Sequence, residues 1–342
     1  MKTIRFKPDM AALQHNVDPF EIKNSIVLVE DDIEHLIGDD AVKLGVSGVR
    51  ITGGTIRDRH YQRLLKALLA KGLGAGQHTI SVGLSASSNY MNEFRESMSK
   101  NVLNKDDYAL LESLVKEIKF RDGRTDAPVQ ICNITLKREK PVPVLYETEA
   151  VRNVIPKEAT TYAIFQIGGG DWQSMLVVDG EICVDTHTRV AGVNNCITKL
   201  AEHLDVSPKT ADKAWFTNTK PNPNGGIDNQ WIDCTADKAK VIRGFISAQL
   251  PQLLNSFEGH KDRIKAIVIS GGAVNDDTFI NILKDEIPQK LRVHTFHDFE
   301  CMEPNGGKLM SASFTCAFGI HAHGVDVGLD IGNAYLKGVF DV

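Results

Sequence analysis

Two segments far apart in the chain share one pattern: an apolar strand, a glycine-bearing turn and a returning strand. The first runs from Tyr162 to Ile167, turns at Gly168-Gly169-Gly170-Asp171 and returns from Ser174 to Val178. The second fills the last sixteen residues, where Val327-Gly328-Leu329 leads through Asp330-Ile331-Gly332-Asn333-Ala334-Tyr335-Leu336-Lys337 into Gly338-Val339-Phe340. Each reads as a β-hairpin. Two such hairpins in a chain of 342 residues, too long for one ordinary core, point to an internally duplicated α/β fold in two parts.

Helix and strand periodicities alternate around these hairpins. Ile26 to Val29 is a short apolar strand before the acidic turn Glu30-Asp31-Asp32, and His35 to Ala41 reads as a strand that ends at Gly38 and passes into a helix. Tyr61, Leu64, Leu65, Leu68 and Leu69 recur at helical spacing and predict an amphipathic helix stopping at Gly72. His78 to Leu84 reads as one strand leading into a helix start at Ser85-Ala86-Ser87-Ser88. Leu110, Leu111, Leu114, Val115 and Ile118 form a further helical stripe that ends near Gly123. A second part begins around Pro156, with helices expected over Val190–Leu204, Lys238–Phe257 and Lys308–Gly319. Ile264 to Ile269 is a buried strand running into Ser270-Gly271-Gly272, and Asn218 to Asn229 is too rich in Pro, Asn and Gly for either element.

Composition excludes several classes. The formal charge of −5 does not suit a protein that coats nucleic acid, which needs a clustered basic surface. The six cysteines show neither close pairing nor metal-ligand spacing and read as small buried hydrophobes or reduced thiols, as in a cytosol. His321-Ala322-His323 is an incomplete metal site. Met1-Lys2-Thr3-Ile4-Arg5-Phe6 alternates like a strand and lacks the apolar stretch of a signal peptide, and no segment approaches the roughly 20 apolar residues of a membrane span. The expectation is a cytoplasmic protein with neither a membrane nor a direct nucleic-acid partner.

The hairpins carry chemistry suited to phosphate. Asp330, at a strand end, can hold hydrated Mg²⁺. Gly332 lets the backbone approach phosphate oxygens while the turn amides, those of Asn333 and Ala334 included, point at them. Lys337 returns on the next strand with a positive charge for the β- and γ-phosphates. Gln166, Gly168, Gly169 and Gly170 offer a second set of turn amides. Ser270, Gly271 and Gly272 form a turn of bare backbone against which a base or ribose can lie. Taken singly, each is also an ordinary tight turn; the three together point to a nucleotide.

These motifs resemble the actin, sugar kinase and heat-shock chaperone ATPase superfamily, and within it the ParM-type plasmid-segregation actins. Asp330 to Lys337 is similar to the first phosphate motif, Gln166 to Asp171 to the second and Ser270 to Ala273 to the adenosine motif. Leu309 to Gly319 resembles the connecting helix, His35 to Ala41 the strand-to-helix passage of ParM proteins, and Ser81-Val82-Gly83-Leu84 their Val-Gly-Leu-Pro strand, with Ser85 where Pro is usual. The order is rotated. The resemblance therefore implies a two-lobed, duplicated, actin-like (ribonuclease H-like) ATPase fold, circularly permuted so that the first phosphate hairpin lies at the C-terminus and Met1 to Phe6 continues it. Domain I would comprise residues 1–152 and 305–342, and domain II residues 153–304.

The same resemblance implies ATP or GTP with Mg²⁺ on Asp330, self-association into filaments whose dynamics hydrolysis controls, and a DNA-binding adaptor for segregating plasmid or other DNA. In ParM-like proteins a Glu or Gln orients the attacking water; Glu147 in Val144-Leu145-Tyr146-Glu147-Thr148-Glu149 fits best, with Glu149 as its fallback. Gln166 departs from the usual Asp, which puts metal binding and turnover in doubt; Asp171 is a remote second candidate for the ion. A small-molecule kinase is the alternative enzyme class, for which no persuasive Asp base stands out. A nucleotide-binding scaffold with little hydrolysis is the third reading.

Overall fold

The computed structural model describes residues 1–13, 18–44, 55–86, 102–155, 161–223, 230–295, 314–332 and 335–341. The chain divides into two compact units, Met1–Val154 with Met302–Val342, and Ile155–Cys301.

Unit 1 holds two sheets. The first has the order β1 (Lys2–Phe6), β18 (Leu336–Phe340), β17 (Val327–Ile331), β6 (Val82–Ser85) and β9 (Val144–Leu145). β1 with β18 and β18 with β17 are antiparallel, whereas β17 with β6 and β6 with β9 are parallel. The second sheet runs β2 (Met10–Ala12), β4 (Ile33–Gly38), β3 (Ser25–Glu30), β7 (Ile118–Arg121), β8 (Gln130–Leu136) and β5 (Gly76–Ile80). Helix α1 (Arg59–Leu73) is capped by Asp58, whose carboxylate accepts the amides of His60 and Tyr61. Its buried face, Tyr61, Leu64, Leu65, Leu68 and Leu69, packs against β18 and β3, strands of the two sheets. Helices α2 (Lys105–Val115), α3 (Glu147–Arg152) and α8 (Thr315–His321) are the unit's other α-helices among the described residues. α8 lies on α3 so closely that a Cβ on Gly319 would stand 1.7 Å from the Ala150 carbonyl oxygen, which only glycine permits.

Unit 2 carries one five-stranded sheet in the order β12 (Glu181–Ala191), β11 (Asp171–Val178), β10 (Tyr162–Ile167), β15 (Ala266–Ser270) and β16 (Arg292–Thr295). Two antiparallel pairings are followed by two parallel ones, the same succession as in unit 1. Helices α4 (Val193–Leu204), α5 (Pro208–Thr217), α6 (Thr235–Asn255) and α7 (Asp277–Glu286) and the small hairpin β13 (Thr219–Pro221) and β14 (Trp231–Asp233) make up the rest. The core is aromatic: Trp172 meets Phe165 edge-on, and Phe279 contacts Trp172, Trp215 and Phe245. Buried Lys238 binds Asp276 Oδ2 at 2.7 Å and donates to the Trp215 carbonyl at 2.7 Å, joining α6 to the starts and ends of its neighbours.

Several expected elements differ. His78 to Leu84 is two strands of different sheets, because the chain breaks pairing at Ser81, whose amide turns to Asp326 Oδ2 at 2.7 Å. Ser85 ends β6, and residues 87 and 88 of the expected helix start lie outside the described residues. The stripe from Leu110 to Ile118 is a helix only to Val115, and Ile118 faces the core from β7. The strand β12 extends to Ala191, so α4 starts at Val193. Asn218 to Asn229 contains the short strand β13, and its residues 224–229 lie outside the described residues, as do residues 308–313 of the helix expected over Lys308–Gly319. No described helix is long and apolar enough to cross a membrane.

Candidate phosphate hairpins

In unit 1, Asp330 is the fourth residue of β17 and is 1% exposed. Its Oδ2 accepts from Lys337 Nζ at 2.6 Å, across the strand pair that sets Asp330 opposite Lys337. Its Oδ1 accepts from Ser85 Oγ at 3.2 Å. Burial pulls the Lys337 ammonium down, but the carboxylates of Asp330 and Glu147 outweigh it and leave the group more basic than an ordinary lysine. Burial, then Asp330 and Glu147, push the Cys316 thiol of α8 well up, so it stays protonated beneath the pair.

Glu147 and Glu149 separate by role. Glu149 reaches back to accept the Tyr146 amide at 2.9 Å, the arrangement of a capping box, and is buried. Glu147 stands half-buried on the first turn of α3, near enough to raise Lys337 and Cys316.

Unit 2 repeats the geometry with neutral groups. Gln166, 3% exposed, precedes Ile167-Gly168 as Asp330 precedes Ile331-Gly332. Its cross-strand partner is Gln173 where unit 1 has Lys337. Ser270 Oγ donates to Gln166 Oε1 at 2.8 Å, matching Ser85 on Asp330. Asp171 is committed to Arg189 at 2.8 Å.

The turns use part of their backbone internally. The amide of Gly332 donates to the Tyr335 carbonyl at 3.2 Å and that of Gly168 to the Asp171 carbonyl at 2.8 Å. Gly192, Val193 and Asn194, at the start of α4, donate to the carbonyls of Gly170, Gly168 and Gly169. The amides of Gly169 and Gly170 make no bond to another described residue, and Gly170 is exposed. Asn333 and Ala334 lie outside the described residues. Gly271 adopts φ +95°, and a Cβ there would stand 2.4 Å from the Ile167 carbonyl oxygen. Gly272 is exposed, with open space where a side chain would be.

Among the described residues no three His, Cys, Asp or Glu side chains converge as a metal cage. Asp330 fits a cation through water and phosphate oxygens, which is how Mg²⁺ is commonly held. Ser270 was expected at the site as part of the Ser270-Gly271-Gly272 turn, whereas Ser85 and Gly192 were not legible as site residues. The one signal for Ser85 is internal: Val-Gly-Leu-Ser at 82–85 and Ile-Val-Ile-Ser at 267–270 end equivalent strands.

No family model matches the sequence, and no curated protein matches it. Solved structures do. An archaeal actin homologue, Ta0583, superposes with a TM-score of 0.64 at 14% identity, covering 93% of this chain and 92% of its own. The fold is that of actin. Two further structures with the actin fold are the Alp12 filament (TM-score 0.53, 14% identity, covering 92% and 87%) and Bacillus thuringiensis ParM with ATP (TM-score 0.53, 12% identity, covering 92% and 89%). Ta0583 has also been solved in complex with ADP. The doubled five-stranded sheet with its two antiparallel and two parallel pairings is therefore the actin fold's duplicated core in this chain.

Proposed function

We propose that the chain is an ATP-binding, filament-forming actin-like protein that hydrolyses ATP to control its polymer, serving plasmid or other DNA segregation through an adaptor. The observation that carries this reading is the buried Asp330–Lys337 pair at a glycine turn, repeated in position by Gln166 and Gln173. The structures of ParM with ATP and of the Alp12 filament support nucleotide and self-association respectively. The reading includes a circular permutation. In unit 2 the sheet positions are filled in chain order, β10, β11, β12, β15, β16; in unit 1 the same positions are filled by β17, β18, β1, β6, β9.

Each residue has a defined task in this reading. In unit 1 Lys337 turns its ammonium from Asp330 to β- and γ-phosphate oxygens; in unit 2 the amides of Gly169 and Gly170 and the backbone at Gly272 are the groups offered to a nucleotide. Asp330 is the residue that would hold Mg²⁺, and the ion would neutralise phosphate charge. Glu147 orients the attacking water. Light scattering and electron microscopy of the purified chain with ATP and Mg²⁺ test it: nucleotide-dependent polymers are expected, and Glu147→Gln should keep polymers while slowing phosphate release. No polymer with ATP or GTP would sink it.

Gln166 favours a second reading, a nucleotide-binding scaffold with little hydrolysis, since a neutral amide replaces a carboxylate in one of two equivalent hairpins. Phosphate release no faster than the spontaneous rate would select it.

A further inference from the structure

Ser85 and Ser270 sit at one topological position, the end of the fourth strand of each five-stranded sheet. Each is paired in register with the residue that opens the phosphate turn: Leu84 opposite Leu329 places Ser85 beside Asp330, and Gln166 is opposite Ser270. Both hydroxyls are buried, 6% and 0% exposed. We propose that they are positioning residues, one per unit, and that Ser85 holds Asp330 in place while Lys337 exchanges that carboxylate for phosphate. This rests on the nucleotide reading above.

The hydrogen-bond directions carry the inference. A hydroxyl has one proton to give. The Ile331 amide donates to Ser85 Oγ at 3.3 Å, so the oxygen is already an acceptor and its proton goes to Asp330 Oδ1. Lys337 has three protons on a flexible stem and is 13% exposed, so it is the partner that can move. At 1% exposure Asp330 is shielded from bulk water. Without Ser85 only the Cys316 thiol, a weak donor, would remain on the buried carboxylate whenever Lys337 turned to phosphate, and the exchange would be opposed. With Ser85, Oδ1 stays fixed and Oδ2 becomes the acceptor for a hydrated cation. In unit 2 the same device grips Gln166 by its carbonyl oxygen, so the amide nitrogen end faces away from Ser270.

The test is equilibrium binding of a fluorescent N-methylanthraniloyl-ATP to the full chain, in Mg²⁺ and in EDTA, with thermal melting alongside. Ser85→Ala should weaken binding about tenfold in Mg²⁺, the worth of one hydrogen bond to a charged group, and much less in EDTA. Ser85→Thr, which keeps the hydroxyl, should recover it, and Ser270→Ala should weaken binding by one factor in both conditions. An equal loss for Ser85→Ala with and without Mg²⁺, or no loss, overturns the assignment. If Ser85→Ala does not fold, Ser85→Cys replaces it, with a weaker donor of similar shape; wild-type affinity in Mg²⁺ then overturns the assignment. A wild-type chain that binds no nucleotide in either condition removes the nucleotide reading itself, and this inference with it.

Discussion

Asp330 and Lys337 are seven residues apart, on opposite sides of a turn, and both are largely withdrawn from water. Removing one partner of such a pair strands the other, so Lys337→Met should cost about 3–5 kcal/mol. The double change Asp330→Asn with Lys337→Met should recover most of that loss in urea unfolding. A single-variant cost below about 1 kcal/mol would mean that the carboxylate is hydrated after all. This pair was legible in the sequence because a hairpin fixes which residues face each other. Ser85 was not: it reaches Asp330 across 245 positions, and no local pattern marks a contact of that span. A second carboxylate offers a pH test. Burial pushes Asp326 up, but the Ser81 amide, Lys137 and the Ser81 hydroxyl more than offset it and bring it from 3.8 down to about 2. Its folded pKa is depressed, so its stabilisation is complete above pH 3.8 and disappears as pH falls towards about 2. Asp326→Asn should lower stability at neutral pH and flatten the acid limb of the melting curve over that window; an unchanged limb would contradict the assignment.

At the scale of elements, α3 tests the division between its two glutamates. Glu149→Ala removes an acceptor from the helix start and should cost about 1 kcal/mol. Glu147→Ala should leave the melting temperature within about 2 °C while changing nucleotide turnover. If Glu147→Ala destabilises as much as Glu149→Ala, both serve the cap and neither is placed for chemistry. Element boundaries show what periodicity conveys and what it omits. β10 follows its apolar run from Tyr162 to Ile167, bounded by a glycine turn. The run from His78 to Leu84 carries Ile80, Val82 and Leu84 at strand spacing, yet the bonds between Ser81 and Asp326 divide it between two sheets. Ile118 satisfies helical spacing from Leu111 and Val115, and only the sheet partner Cys132 of β8 assigns it to a strand. Such partners are remote in sequence, so local spacing could not report them.

At the scale of the molecule, the two five-stranded sheets have one wiring diagram entered at different points. A rearranged gene tests the permutation: Asp341 joined to Met1 through a short glycine linker, with new ends opened at the exposed residues His323 and Gly324. The register sets Lys2 opposite Phe340, so a hairpin-length linker suffices. The rearranged chain is expected to keep its circular dichroism and to melt within about 5 °C of the original; an unfolded product would count against the permutation. The same register has a mechanical consequence. β1 lies at the sheet's edge, antiparallel to β18, with Lys2 and Phe340 at one end of the ribbon. Tension applied between these two residues would load the bonds of that ribbon one after another, as a zipper opens, and not all together in shear. The anchors opposing it are Lys2 on the carbonyls of Lys71 and Gly72 and the Arg5 guanidinium over the Tyr335 ring. Opening would start at the Lys2–Phe340 pair and reach Arg5 opposite Lys337 only after three pairs had parted, so the phosphate turn at the far end of the ribbon is the last part of this edge to feel the load.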